Sequence, residues 1–295
     1  MKRAVRAPGV AFVNVHLRKL AALLPLLEPR VLVRLHGSGN HGEQSDSAAF
    51  YTLDKLPAAL LRPPALPKPP QRRDIDLGPG GLAFVIDGIL TPEEADVLAA
   101  CSEAIFDFNG HTRIAPGITT PPGMRVNMAA HWFPRRAEAG EFFGPFYERF
   151  RHLLPVEISG RPLFDRLNEK IATFKYSDGD EFKPHSDGVF PGQGASTDDA
   201  GVDAWDGVDS GLSMLVYLND GETDGLQGGE TRLFRMDRRG HVDVTPRKGS
   251  ALFFRHGSGP DSVLHASLPV IGDVPKYLAR MNVLYGVLQG AQRLY

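Results

Sequence analysis

From Asn168 to its end the chain is cut by Gly, Asp and Pro into short stretches rich in β-branched and aromatic residues. This texture constrains the fold more than any other feature. Stretches of that length and composition read as strands, because a helix needs a longer uninterrupted run to bury a face. The expected strands are Lys170 to Tyr176, Leu212 to Leu218, Glu230 to Phe234, His241 to Thr245, Ser250 to Phe254 and Lys276 to Tyr285. Several short strands with regular turns close into a β-sandwich or barrel.

The preceding region reads differently. Gly81 to Leu90 is a further strand. Thr91-Pro92-Glu93-Glu94 then opens a helix: Thr91 as N-cap, Pro92 at the first helical position, and Glu94 closing a capping box. A second helix is expected over Gly144 to Leu154, with Pro145 near its start and Phe146, Phe150 and Leu153 on one face. Helices first and strands later give an α+β, mainly β fold, a jelly roll with helices packed on one side.

Leu61 to Arg73, LRPPALPKPPQRR, favours polyproline geometry and excludes a helix or a central strand. It divides the chain into an N-terminal extension and Pro-rich linker, 1–75, and a main domain, 76–295. Met1 to Leu27 holds five basic residues and no acid, but its apolar part is short and broken by Pro25. It reads as a helical extension or a faint organelle-targeting segment rather than a secretory signal. The formal net charge of -2 argues against an obligate nucleic-acid partner, which leaves a basic footprint. No apolar run is long enough for a membrane span. Cys101 is the only cysteine, so no internal disulfide forms and a cytoplasmic, reducing setting is expected.

Three His-x-carboxylate triplets are present: His41-Gly42-Glu43, His185-Ser186-Asp187 and His241-Val242-Asp243. One such triplet is weak evidence, because most are solvated pairs. The first lies in a polar loop and the third in a hairpin turn. Only His185 and Asp187 follow a strand and precede a long Gly/Asp-rich segment. On extended chain, residues two apart point to one side, so both can converge on an ion. His265, after the Ser250 to Phe254 strand and a Gly-rich turn, supplies a third ligand. Two imidazoles and one carboxylate form the facial triad suited to non-haem Fe(II), with positions left open for O2 and a chelating co-substrate. A zinc hydrolase is the lesser reading of the same ligands.

Tyr176 to Asp187 (YSDGDEFKPHSD), Met214 to Asn219 (MLVYLN), Gly228 to Thr231 (GGET), Val244 to Phe254 (VTPRKGSALFF), His265 to Val270 (HASLPV) and Lys276 to Tyr285 (KYLARMNVLY) follow one another in order. Together they resemble the prolyl 4-hydroxylase-like branch of the Fe(II)- and 2-oxoglutarate-dependent dioxygenases. The resemblance covers roughly the last two-thirds of the chain. It implies a double-stranded β-helix, Fe(II), 2-oxoglutarate and O2, with ascorbate as a reductant in many relatives. The implied reaction is hydroxylation of a C–H bond with release of succinate and CO2.

The resemblance also places a cation for the distal carboxylate of 2-oxoglutarate after the last ligand. Lys276 fits by position if one residue is inserted before it. Arg280, on the same strand face, fits by its bidentate chemistry. Tyr176 adds a hydroxyl to the same carboxylate. The primary substrate, peptide or small molecule, is not readable. Val189 to Ser210, with five aspartates, reads as a mobile lid whose charge would favour a basic substrate, or as a solvated loop. A cupin-like metalloenzyme without 2-oxoglutarate would not need Lys276 or Arg280. A non-catalytic jelly-roll binding module would not need all three ligands.

Overall fold

The computed structural model describes residues 33–36, 50–113 and 121–289. Before the first long helix come β1 (Val33–His36), β2 (Phe50–Leu53), one helical turn (Ala58–Leu61), β3 (Gln71–Asp74) and β4 (Ala83–Asp87). Helix α1 (Pro92–Phe108) is followed by β5 (Arg125–Val126), β6 (Met128–Pro134) and α2 (Arg136–Glu148). The remaining strands are β7 (Glu157–Ile158), β8 (Arg161–Leu167), β9 (Ile171–Tyr176), β10 (Glu181–His185), β11 (Pro191–Ala195), β12 (Val202–Tyr217), β13 (Gln227–Gly228), β14 (Thr231–Phe234), β15 (His241–Val244), β16 (Ala251–Arg255), β17 (His265–Ser267), β18 (Val270–Ile271) and β19 (Lys276–Gly286).

Two sheets face each other. The larger runs β1-β2-β6-β9-β19-β12-β16-β4-β3 and the smaller β15-β14-β17-β10-β5. The period-2 alternation of the long strands decides what each face touches. On β12, Met214 and Val216 point to the helices, while Leu215 and Tyr217 point between the sheets. On β19, Tyr277, Ala279 and Met281 join the helix-side core. Lys276, Leu278 and Arg280 face the other way, into a cavity between the sheets. The result is a jelly roll with α1 and α2 on one side.

Helix α1 begins as its sequence dictates. Thr91 accepts from the Glu94 amide, Glu94 reaches back to the Thr91 amide, and Pro92 occupies the first turn. A cap of this kind contributes about 1 kcal/mol. Helix α2 departs from expectation. It starts at Arg136 rather than Gly144, and Pro145 lies inside it. An interior proline forfeits one backbone bond, but buried Ala139, Phe142, Phe143, Phe146 and Tyr147 hold the helix against the large sheet. The periodic apolar face outweighs the start signal suggested by Pro145.

The Gly/Asp-rich segment is also not the mobile lid or solvated loop its composition suggests. Strand β11 pairs with the first half of β12 as a hairpin, and Trp205 is buried beneath it. Strand β3, directly after the prolines, takes the outer edge of the large sheet, where a proline-rich neighbour does no harm to a ladder. Strands β1 and β2 add to the opposite edge, β2 running parallel to β6.

Candidate metal centre

Strands β10 and β17 lie side by side in the small sheet, with His185 directly opposite His265. His185 is the last residue of β10 and His265 the first of β17, so both rings stand at one end of the ladder. The register shifts between Phe182 and His185. Pro184 falls in that shift and has no N–H to offer a regular ladder. Asp187 follows two residues after His185, its backbone carbonyl accepting from the Gly257 amide. One ligand atom from each of His185, Asp187 and His265 lies within 4.8 Å of the others.

The imidazoles are oriented from behind. His185 Nδ1 sits 2.7 Å from the Lys183 carbonyl, and His265 Nδ1 sits 3.2 Å from the Val263 carbonyl. A carbonyl only accepts, so each Nδ1 carries the proton and each Nε2 keeps its lone pair. Those Nε2 atoms lie 3.8 Å from Asp187 Oδ1 (His185) and 3.8 Å from Oδ2 (His265). Burial pushes His185 down to about 4, helped by neighbouring His265. Burial lowers His265 as well. Both rings are therefore neutral at ordinary pH, the state a metal requires. Phe182 stacks on His185 at 3.6 Å between ring centres, and Phe254 packs beside His265.

Asp187 is buried. Burial alone would raise its pKa, but Arg280, His265 and the Ser213 hydroxyl overcome this and hold the carboxyl below its usual range. Arg280 Nη1 donates to Oδ1 at 2.8 Å, and Ser213 Oγ donates to Oδ2 at 2.5 Å. Behind Ser213 stands His256, with Nδ1 2.8 Å from Ser213 Oγ and Nε2 2.8 Å from Ser210 Oγ. Because Ser213 gives its proton to Asp187, it accepts from His256 Nδ1–H, and His256 Nε2 accepts from Ser210. Ser210 in turn accepts from the Phe190 amide. This directed chain fixes Asp187 from the side opposite Arg280.

A second feature lies along β19. Lys276 is fully buried, and its ammonium donates to the Gly229 carbonyl at 2.6 Å and to Ser267 Oγ at 3.0 Å. The rings of Tyr176 and Tyr217 lie 5.2 and 5.8 Å from the ammonium. Among the described residues no carboxylate pairs with it, and burial pushes it down to about 7. A buried cation without an anion is costly. Tyr176 stands directly opposite Lys276 in the β9–β19 register. Lys276, Tyr176, Arg280 and the three candidate ligands line one cavity with Phe174, Leu215, Thr231 and Leu278.

The six residues singled out in the sequence thus meet in one cavity, whereas the His241–Asp243 pair does not join it. His241 and Asp243 lie on β15, where Asp243 is engaged by Arg232 and the histidine is exposed. His41 and Glu43 lie outside the described residues. Ser213 and His256 escaped the sequence reading. The one signal for Ser213 was a hydroxyl in an otherwise apolar strand. His256 offered none, being one histidine among ten.

Residues 171–283 match the family model of the 2OG-Fe(II) oxygenase superfamily. No curated protein matches the sequence significantly. Similar solved structures include a viral collagen prolyl hydroxylase from Paramecium Bursaria Chlorella virus-1 in complex with 2OG, 22% identical, covering 70% of this chain and 96% of that one with a TM-score of 0.44. A Pseudomonas putida prolyl-4-hydroxylase is 19% identical, covering 79% and 99%, with a TM-score of 0.42. A Trichoplax adhaerens prolyl hydroxylase in complex with a hypoxia inducible factor peptide fragment is 14% identical, covering 69% and 83%, with a TM-score of 0.46. Among the described residues no helix is long and apolar enough to cross a membrane.

Proposed function

The chain carries a 2OG-Fe(II) oxygenase domain, and from that premise we propose that His185, Asp187 and His265 hold the Fe(II) while Lys276 and Tyr176 hold the distal carboxylate of 2-oxoglutarate. The enzyme is a 2-oxoglutarate-dependent dioxygenase. With metal, co-substrate and O2 bound, the chemistry supplied is oxidative decarboxylation of 2-oxoglutarate to succinate and CO2, coupled to conversion of a substrate C–H into C–OH.

One observation carries the assignment of residues. Two neutral imidazoles and an ionised carboxylate converge within 4.8 Å, in the same cavity as a buried lysine that lacks an anion. The donor set fits Fe(II), which accepts two imidazoles and one carboxylate on one face. The protein's own part is to orient and exclude. Lys183 and Val263 carbonyls fix the tautomers. Ser213 and Arg280 fix the carboxylate. Phe174, Leu215 and Leu278 make the cavity wall apolar, which strengthens every charge interaction inside it. Between the two cations raised by the sequence, Lys276 is favoured as the clamp. Arg280 is already engaged by Asp187, whereas Lys276 has only neutral acceptors.

The same reading takes ascorbate as the reductant that keeps the iron ferrous, and a cytoplasmic setting in keeping with the single buried Cys101. It also divides the chain into an extension and linker, 1–75, and the oxygenase domain, 76–295, with the proline-rich stretch at the junction. Succinate formation measured with and without 2-oxoglutarate, Fe(II) and ascorbate tests the assignment. Turnover that needs 2-oxoglutarate and Fe(II), and that disappears in His265→Ala, supports it. Turnover that survives His265→Ala contradicts it.

A further inference from the structure

Three of the five aspartates in the acidic segment that would have pointed to a basic substrate are spent elsewhere. Asp199 binds Arg135 and the Arg136 amide, Asp209 pairs with Arg161, and Asp198 closes its own turn with Ser196 and Ala200. Besides Asp187, the charged side chains that line the cavity are the cations Lys276 and Arg280.

Their placement follows from strand register. On β9 the side chains facing the small sheet are Ala172, Phe174 and Tyr176, and Lys170 continues that row one step before the strand. Ala172 lies opposite Arg280 on β19 and opposite His131 on β6. Adjacent strands are about 4.8 Å apart. Arg280 and His131 therefore flank the short Ala172 side chain, with Lys170 two residues before it in the same row. The Phe190 ring lies 5.0 Å from the Lys170 ammonium and 5.2 Å from the Arg280 guanidinium carbon, tying both cations to the same wall. From the facing sheet, Arg125 lies over Phe174 at 4.9 Å and over Phe182 at 4.5 Å, the ring that stacks on His185.

Of these cations only Arg280 has an anion, Asp187. Arg125 Nε donates to Asn127, but its Nη2 is buried without a hydrogen-bond partner, as is Arg280 Nε. Among the described residues neither Arg125 nor Lys170 has an ion-pair partner. Their charges also act on His131. Burial lowers that histidine well below its ordinary value, and Lys170, Arg280 and Arg125 add to the effect. Lys276 already accounts for one carboxylate of 2-oxoglutarate and the metal for the other end. Arg125, against the Phe182 ring that stacks on His185, and Lys170, across the Phe190 ring from Arg280, remain as two further positive charges.

We propose that the primary substrate is a small carboxylic acid, of about amino-acid size, whose carboxylate sits against Arg125 and Lys170 while a C–H bond faces the metal. This rests on the 2-oxoglutarate dioxygenase reading. A carboxylate has two acceptor oxygens, matching one free guanidinium N–H group and one ammonium. The apolar Phe174, Phe182 and Phe190 rings would pack on the carbon skeleton between them.

The test uses the full chain loaded anaerobically with Fe(II) and 2-oxoglutarate. Matched pairs of each free L-amino acid and its carboxamide are titrated and followed by calorimetry. At least one acid is expected to bind about tenfold or more tightly than its amide, equivalent to roughly 1.4 kcal/mol. Arg125→Gln and Lys170→Gln are each expected to remove that preference, and Arg125→Lys to retain part of it. Acid and amide binding alike, or no pair binding at all, overturns the inference. It is also overturned if either Gln variant weakens 2-oxoglutarate binding, read from the visible charge-transfer band of the Fe(II) complex. Absence of that band in the unaltered protein would instead contradict the dioxygenase reading itself, so the two failures are distinct.

Discussion

Arg280 donates a 2.8 Å hydrogen bond to the Oδ1 of Asp187, so the carboxylate assigned to the metal is held by a guanidinium of its own chain. The pair is buried on both sides, with side-chain exposures of 13% and 6%. Removing one partner of a buried pair costs roughly 3 to 5 kcal/mol, because the other charge is stranded. Arg280→Gln should therefore lower the melting temperature of the metal-free protein markedly. The loss should shrink when Fe(II) is added, since the ion neutralises Asp187 itself. Thermal melts with and without metal check this. An equal loss in both states would mean that Arg280 acts by packing alone.

Asp187→Ala should abolish 2-oxoglutarate turnover while leaving the fold intact, because the carboxylate sits at the cavity and not in the helix-side core. His241→Ala should leave turnover nearly unchanged, since His241 is exposed and its neighbour Asp243 is committed to Arg232. Succinate assays and circular dichroism on both variants check this. A dead His241 variant beside an active Asp187 variant would reverse the choice of ligands.

Ser213→Ala removes the donor at Oδ2 and cuts Asp187 off from His256. Partners of this kind behind metal ligands typically contribute 10- to 100-fold in metal affinity, about the loss expected here. Ser213→Thr, which keeps the hydroxyl, should recover part of it. Metal titration of the three proteins provides the comparison. Unchanged affinity in Ser213→Ala would show that Arg280 alone positions the carboxylate.

Lys276→Ala should raise the Michaelis constant for 2-oxoglutarate at least about tenfold, equivalent to roughly 1.4 kcal/mol. The pH dependence has a definite sign. Burial pushes the free ammonium down to about 7, and the anionic ligand binds only its charged form. Below about pH 7 the charge is in place and affinity is level. Above it a proton must be taken up on binding, and affinity falls by up to about tenfold per pH unit until the raised value of the liganded lysine is reached. The measurement is the 2-oxoglutarate dissociation constant from pH 6 to 9. A flat profile would remove Lys276 from the clamp.

What the sequence disclosed and what it hid follow from the range of the interactions. The capping box at Thr91 was legible because its partners are three residues apart. The metal candidates were legible because a two-residue spacing on extended chain places His185 and Asp187 on one side. His265 came from its place after a strand and from the order of the motifs. The β11–β12 hairpin was not legible. Glycines and aspartates hide its pairing, and its anchor is the burial of Trp205 against Leu284 and Phe164 from distant strands. Helix α2 was misplaced because Pro145 looks locally like a start, while the evidence for the earlier turns lies in the sheet it packs on. The grouping of cations was hidden for the same reason. Arg125, His131, Lys170 and Arg280 meet only through the registers of β5, β6, β9 and β19.

The most direct test of the central claim is an anaerobic titration of Fe(II) into the protein with and without 2-oxoglutarate, followed in the visible range. The account predicts a weak metal-to-ligand charge-transfer band that appears only when both are present, is lost in Asp187→Ala, and needs a higher 2-oxoglutarate concentration in Lys276→Ala. No band in the unaltered protein, or an undiminished band in Asp187→Ala, would contradict it.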